Sequence, residues 1–178
     1  MKIIKKENVF KGYYKLNRLQ VKSDLTGKII DIEQFETPNS VSVLIYNPII
    51  NKIALVRQFR IGAENELTEV VAGKVDGTDN DPIKTAKREV VEETGYAVDT
   101  IQLIHEFYTT PGPVTEKMQL FYAEVSEQIT VGGGLNNENE EIKIIHIAPE
   151  DFLNEQFFDA KTIITQQYWQ LHKKKHID

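Results

Sequence analysis

The stretch Arg88-Glu89-Val90-Val91-Glu92-Glu93-Thr94-Gly95-Tyr96 concentrates more potential chemistry than any other part of this sequence. On a helix, Glu89 and Glu93 lie on one face with Glu92 beside them. Three carboxylates so close repel one another and destabilise an isolated helix. A hard divalent cation offsets that repulsion, since magnesium prefers oxygen ligands and commonly takes one or two carboxylates together with substrate phosphates. Arg88 adjoins the cluster and can pair with one acid, helping to orient it. Most charge runs are solvated faces and nothing more, so the neighbours of this one matter. Val71-Ala72-Gly73 ends a strand just ahead of the helix and can present a backbone carbonyl to the same cation. The run Glu138-Asn139-Glu140-Glu141 can bring a second set of carboxylates into reach.

Elements that could position these groups follow from the patterning. Residues 12–21, 28–35, 41–46 and 53–59 are rich in β-branched and aromatic side chains, separated by the turn formers Ser23-Asp24, Pro38-Asn39 and Asn47-Pro48. A further strand is expected over 67–72. The period then changes: Asp81-Pro82 supplies an N-cap with proline at the first helical position, Gly95 supplies the stop, and Ile83, Ala86 and Val90 make an apolar stripe. A helix is therefore expected over 82–94. Strand patterns return at 100–108, 118–125 and 142–147, and helical ones at 149–155 and 161–173. Strands around a central helix, followed by terminal helices, predict an α/β sandwich. Gly132-Gly133-Gly134-Leu135-Asn136-Asn137 reads as the most flexible loop, with acids at its far end.

Bulk properties narrow the function. A chain of 178 residues suffices for one domain with a real core. It has no cysteine, which removes disulfides, thiolate zinc sites and cysteine nucleophiles together. A net charge of −6 argues against a nucleic-acid partner; it leaves a phosphate-bearing small molecule open, because a metal ion or a few arginines can reverse the sign locally. The basic run at 173–175 reads as a solvated helix end. Charges stand where a signal peptide would be apolar, and no run approaches the ~18 apolar residues of a membrane helix. A cytoplasmic location with no membrane partner is expected. The four histidines show no metal spacing, and neither G-x-S-x-G nor a P-loop occurs.

Arg88-Glu89-x-x-Glu92-Glu93-x-Gly95 resembles the second half of the Nudix box, G-x5-E-x7-R-E-U-x-E-E-x-G-U, where U is bulky and aliphatic. The first half departs from it: Asn80 stands where the family has glutamate, Gly73 is one residue early, and an inserted residue would put Asp79 in play. Val56-Arg57-Gln58-Phe59-Arg60, Glu69-Val70-Val71-Ala72-Gly73, the segment 108–116 and the glycine loop resemble the branch of ADP-sugar and GDP-mannose pyrophosphatases, over roughly residues 10–172. The resemblance implies a Nudix fold: an α/β/α sandwich with a mixed sheet plus an N-terminal antiparallel strand region. It divides the chain into a strand region at 1–38, used for dimerisation, and a hydrolase domain at 39–178. It implies metal ligands at the Ala72 carbonyl, Glu89, Glu93 and Glu140, with Glu92, Glu138 and Glu140 as the candidate catalytic acids. Arg60, Glu116, Lys161 and Tyr13 match substrate contacts.

Read independently, pyrophosphate hydrolysis needs charge neutralisation and a positioned water. Arg60 can serve as a bidentate phosphate clamp, and a loop carboxylate such as Glu138 or Glu140 can take the water's proton. The expected activity is Mg2+-dependent (Mn2+ substituting) hydrolysis of a nucleoside diphosphate sugar by a homodimer, with GDP-mannose giving GMP and mannose 1-phosphate. ADP-ribose, giving AMP and ribose 5-phosphate, is the alternative substrate. A non-catalytic nucleotide-sugar sensor is the alternative of a different class.

Overall fold

A computed structural model of the chain describes residues 1–75, 81–134 and 141–172. These form two compact units, residues 1–40 with 107–118, and residues 41–106 with 119–178.

In the first unit, β1 (Lys2–Lys11), β2 (Lys15–Lys22) and β3 (Ile29–Glu36) make an antiparallel sheet in that order. β1 is not legible in the sequence. All ten of its residues are exposed, so burial writes no alternating pattern into Lys-Ile-Ile-Lys-Lys-Glu, and pairing with β2 makes it a strand. A polar network ties the three strands together. Asn8 Nδ2 donates to Asn17 Oδ1 at 3.1 Å, Asn17 Nδ2 to Glu36 Oε2 at 2.9 Å, and Lys6 Nζ to Glu36 at 2.6 Å.

The larger unit carries the elements expected to hold the site. Its sheet runs β10 (Lys143–Ile147), β5 (Lys52–Arg60), β4 (Ser40–Asn47), β9 (Lys117–Gln128), β8 (Tyr96–Tyr108); β6 (Asn65–Glu69) pairs with β5, and β7 (Val71–Lys74) with β4. Strand alternation divides the core between two faces. Val41, Val43 and Ile45 of β4, with Ala54 and Val56 of β5, pack with Ala86 and Val90 of helix α1 (Pro82–Thr94). Leu44, Ile53 and Leu55 pack instead with Phe152 of α2 (Pro149–Asn154), with Trp169 of α3 (Ala160–His172), and with Phe157 between these helices. Helices therefore cover both faces of a mixed sheet, the expected α/β/α sandwich.

Two details differ from the expectation. The single strand at 67–72 is two strands, β6 and β7, with Val70 between them. The Val70 N–H goes to Thr162 Oγ1 at 3.0 Å, so the chain can change its pairing partner there without leaving a buried donor unmet. In α1, Ile83 is 46 % exposed, and the buried face is Thr85, Ala86, Val90, Glu93 and Thr94. The helix ends are as read: Asp81 accepts from Ile83 N at 3.0 Å, and Gly95 is left-handed at φ 76°. A Cβ at Gly95 would meet the Thr130 carbonyl oxygen at 2.0 Å, so this position excludes other residues twice over.

Candidate active site

Helix α1 carries its acids toward β7. A Cβ on Gly73 would lie 1.9 Å from Oε1 of Glu89, which means that the Glu89 carboxylate rests directly on the backbone beside Ala72. One turn later, Glu93 is 2 % exposed. Arg88 holds the outer edge of the cluster, donating from Nη2 to Glu89 Oε1 at 2.7 Å and from Nη1 to Glu92 Oε2 at 2.5 Å. Burial pulls the Arg88 guanidinium down, but the charges and hydrogen bonds of Glu89 and Glu92 outweigh it and hold the pKa above its ordinary value. Like-charge repulsion within the helix is thus partly offset by its own arginine.

A second cluster joins β5, β6 and α3. Glu69, 1 % exposed, accepts from Arg60 Nε on one oxygen and from Lys161 Nζ on the other. Lys161 also pairs with Asp159 at 2.9 Å. Asp159 caps the start of α3, accepting from Thr162 N at 3.0 Å and from Thr162 Oγ1 at 2.7 Å. The Arg60 pKa is pulled down by burial and raised more by Glu69, with further attraction from Glu93 and Asp159. Glu69 ends β6 and Ala72 lies in β7 three residues later, so the two clusters are neighbours along the chain.

The glycine loop begins as an anchor for the same helix. Gly133 N donates to Glu93 O at 2.9 Å and Gly134 N to Glu92 O at 3.0 Å, while Ile129 N and Thr130 N reach Gly95 O at 2.8 and 3.2 Å. These bonds satisfy carbonyls that a helix C-terminus leaves open. The part of this loop that composition marked as flexible is, at residues 132–134, tied to the acidic turn.

A NUDIX domain model matches residues 36–167. This chain belongs to the Nudix family. It is 31% identical to the GDP-mannose pyrophosphatase of Cronobacter sakazakii, over 96% of this chain and 95% of that protein. It is 32% identical to the GDP-mannose pyrophosphatase of Salmonella typhimurium, over 94% of each. A crystal structure of an ADP compounds hydrolase superposes with TM-score 0.81 at 18% identity, covering 99% of this chain and 95% of that one. The chain is a Nudix pyrophosphohydrolase with the fold that the sequence implied.

Against that family pattern, the expected site residues fall into three groups. Ala72, Glu89, Glu92, Glu93, Arg60 and Lys161 all belong to the larger unit, in the two clusters just described. Tyr13 and Glu116 belong to the N-terminal unit: Tyr13 is exposed and stacks edge-on against Tyr14, and Glu116 accepts from Thr109 Oγ1 at 2.7 Å. Glu138, Glu140, Asp79 and Asn80 lie outside the described residues. Sequence reasoning gave no role to Glu69 or Asp159. The available signal for Glu69 was a lone carboxylate in the apolar run Leu67-Thr68-Glu69-Val70-Val71, and buried charges of that kind are paired.

The donor set fits a hard cation. Carboxylate and carbonyl oxygens are the ligands magnesium selects, and the Glu89 carboxylate already lies against the β7 backbone at Gly73. Among the described residues, no three His, Cys, Asp or Glu side chains by themselves form a group that could hold a metal ion. Backbone oxygen, water and substrate phosphates ordinarily supply much of the coordination of magnesium. No helix among the described residues is long and apolar enough to cross a membrane.

Proposed function

We propose that this Nudix enzyme hydrolyses the pyrophosphate bond of a nucleoside diphosphate sugar, with GDP-mannose giving GMP and mannose 1-phosphate. One observation carries the reading: Glu69, the partner of the half-exposed Arg60, stands three residues before Ala72, on whose strand the Glu89 carboxylate of the Nudix helix rests. An anion gripped by Arg60 would thus lie beside the groups suited to hold a divalent cation. The relatives named GDP-mannose pyrophosphatase, similar over nearly the whole chain, support the choice of substrate.

In this reading the Ala72 carbonyl, Glu89 and Glu93 hold Mg2+, or Mn2+ in its place, with Glu140 as a further ligand from the acidic loop. The ion supplies charge neutralisation on the pyrophosphate oxygens. Arg88 keeps Glu89 and Glu92 oriented. Arg60 and Lys161 receive the phosphates, and Tyr13 and Glu116 are the further substrate contacts that the family resemblance implies. Glu138 takes the proton of the attacking water, with Glu92 and Glu140 as the other catalytic acids. Water adds across one phosphoanhydride bond, and two phosphate monoesters leave.

We also propose a cytoplasmic homodimer joined through the N-terminal strands. The motivation is the apolar surface of that unit, where Ile3, Phe10, Ile29, Ile30 and Phe35 are each more than 40 % exposed.

A substrate panel decides the first proposal. GDP-mannose, ADP-ribose and other nucleotide sugars are incubated with magnesium or with chelator, and products are read by phosphate release after coupling to a phosphatase. Magnesium-dependent release from GDP-mannose above all others is the expected result. Preference for ADP-ribose reassigns the substrate, and tight binding without release on any of them makes the protein a sensor.

A further inference from the structure

Glu69 is fully buried, yet a buried ion pair is weak evidence for stability, because apolar side chains of the same volume usually pack as well. Its surroundings point to another reason for it. One oxygen accepts from Arg60 and the other from Lys161, so a single rigid carboxylate fixes two cations contributed by β5 and α3. The contact with Arg60 is made by Nε. That contact does not use the edge formed by the two terminal guanidinium nitrogens, which can grip a phosphate bidentately, and the Arg60 side chain remains 38% exposed. Lys161, by contrast, is buried and has Asp159 as a second partner at 2.9 Å. Behind them, Thr162 Oγ1 donates to Asp159 and accepts from Val70 N, which clamps the start of α3 to the residue after Glu69. The path Asp159–Lys161–Glu69–Arg60 alternates in charge and ends in the exposed cation.

We infer that Glu69 is a positioning residue that aims Arg60 and Lys161 at a phosphate, rather than a carboxylate that merely neutralises them. The inference rests on the phosphate-binding role given above to Arg60 and Lys161. The two possibilities differ in sign. If Glu69 only neutralised the cations, removing its charge would leave the site more positive, and a polyanion would bind more tightly. If Glu69 aims them, removal frees Arg60 and leaves Lys161 to Asp159 alone, and binding weakens despite the gain in positive charge.

Inorganic pyrophosphate in metal-free buffer is the probe, with affinities measured by calorimetry for the wild-type protein, Arg60→Gln, Glu69→Gln and Glu69→Asp. Glu69→Asp keeps the charge but is one methylene too short to hold both cations. Arg60→Gln should abolish binding, and both Glu69 variants should weaken it by about tenfold or more, the loss expected when a charge-assisted clamp is misplaced. On any nucleotide sugar the enzyme hydrolyses, both should raise KM more than they lower kcat, a split that damage to packing alone does not produce. Tighter binding by Glu69→Gln with Glu69→Asp unchanged would overturn the inference. So would a wild-type protein that ignores pyrophosphate, binding insensitive to Arg60→Gln, or loss of folded protein in both Glu69 variants, which would assign the carboxylate to the core alone. If the variants weaken pyrophosphate binding while no nucleotide sugar is hydrolysed, the proposed substrate falls and the positioning role stands.

Discussion

The two units are held together by different physics. In the larger one, β4 is buried over all but one of its residues, and successive side chains feed separate apolar clusters on the two faces of the sheet. In the N-terminal sheet, β1 is exposed throughout, β3 nearly so, and only β2 alternates, burying Asn17, Leu19 and Val21. Half-exposed polar bonds around Glu36 add to the little apolar burial that β2 supplies there. A doubly covered sheet can hold side chains such as Glu93 and Glu69 in fixed, desolvated positions, as a phosphoryl-transfer site requires. A three-stranded sheet with so little burial is marginal by itself, which is why it is the part of the molecule expected to seek further surface.

The largest effect should come from the acidic turn of the larger unit. Glu93→Gln is expected to lower turnover at least ~10²-fold, about 2.7 kcal/mol of barrier; near-normal activity at saturating magnesium would remove Glu93 from the metal site. Next comes the core beneath it. Leu44→Ala should cost about 2–5 kcal/mol in urea unfolding, whereas Ile32→Ala on β3 should cost under about 1 kcal/mol in the monomer. Equal losses at the two positions would erase the contrast between the units. Ile32→Asp sharpens it further: molar mass by light scattering should fall from dimer to monomer while the helical circular dichroism of the larger unit is kept. A wild-type protein that is monomeric at micromolar concentration would count against the dimer.

The smallest effect concerns the polar network. Hydrogen bonds from Lys6, Asn17 and Lys15 lower the Glu36 pKa from 4.5 to about 2. A depressed carboxylate contributes stability that is complete above its unfolded pKa and is lost as pH falls through the folded value. Thermal melts between pH 4.5 and 2 should therefore decline less steeply for Glu36→Gln than for the wild type. Because these side chains are half exposed, the difference should shrink in added salt. An unchanged acid limb would mean that the network holds the strands without contributing to acid stability.

The bounds of helix α1 were legible because their information is local. Asp81-Pro82 and Gly95 mark its ends through backbone geometry that neighbours cannot change, and the spacing of Glu89, Glu92 and Glu93 fixes which acids share a face. Strands β4 and β5 were legible because burial selects the apolar runs Val43-Leu44-Ile45 and Ile53-Ala54-Leu55-Val56. β1 was not, since an exposed strand is specified by its pairing partner and leaves no pattern of its own. Likewise, three glycines in a row predict freedom, but whether their N–H groups find carbonyls depends on a helix end that lies elsewhere in the chain.

Residue types and local spacing thus determined the acidic helix, its caps, the strand-rich body and the family of chemistry. Tertiary structure alone decided that Glu69 would lie buried between Arg60 and a lysine 92 residues further along. The reason is physical. Helix and turn signals act over a few bonds, whereas a charge in a low-dielectric interior is set by whatever partner the folded chain brings to it, and sequence distance places no limit on which residue that will be.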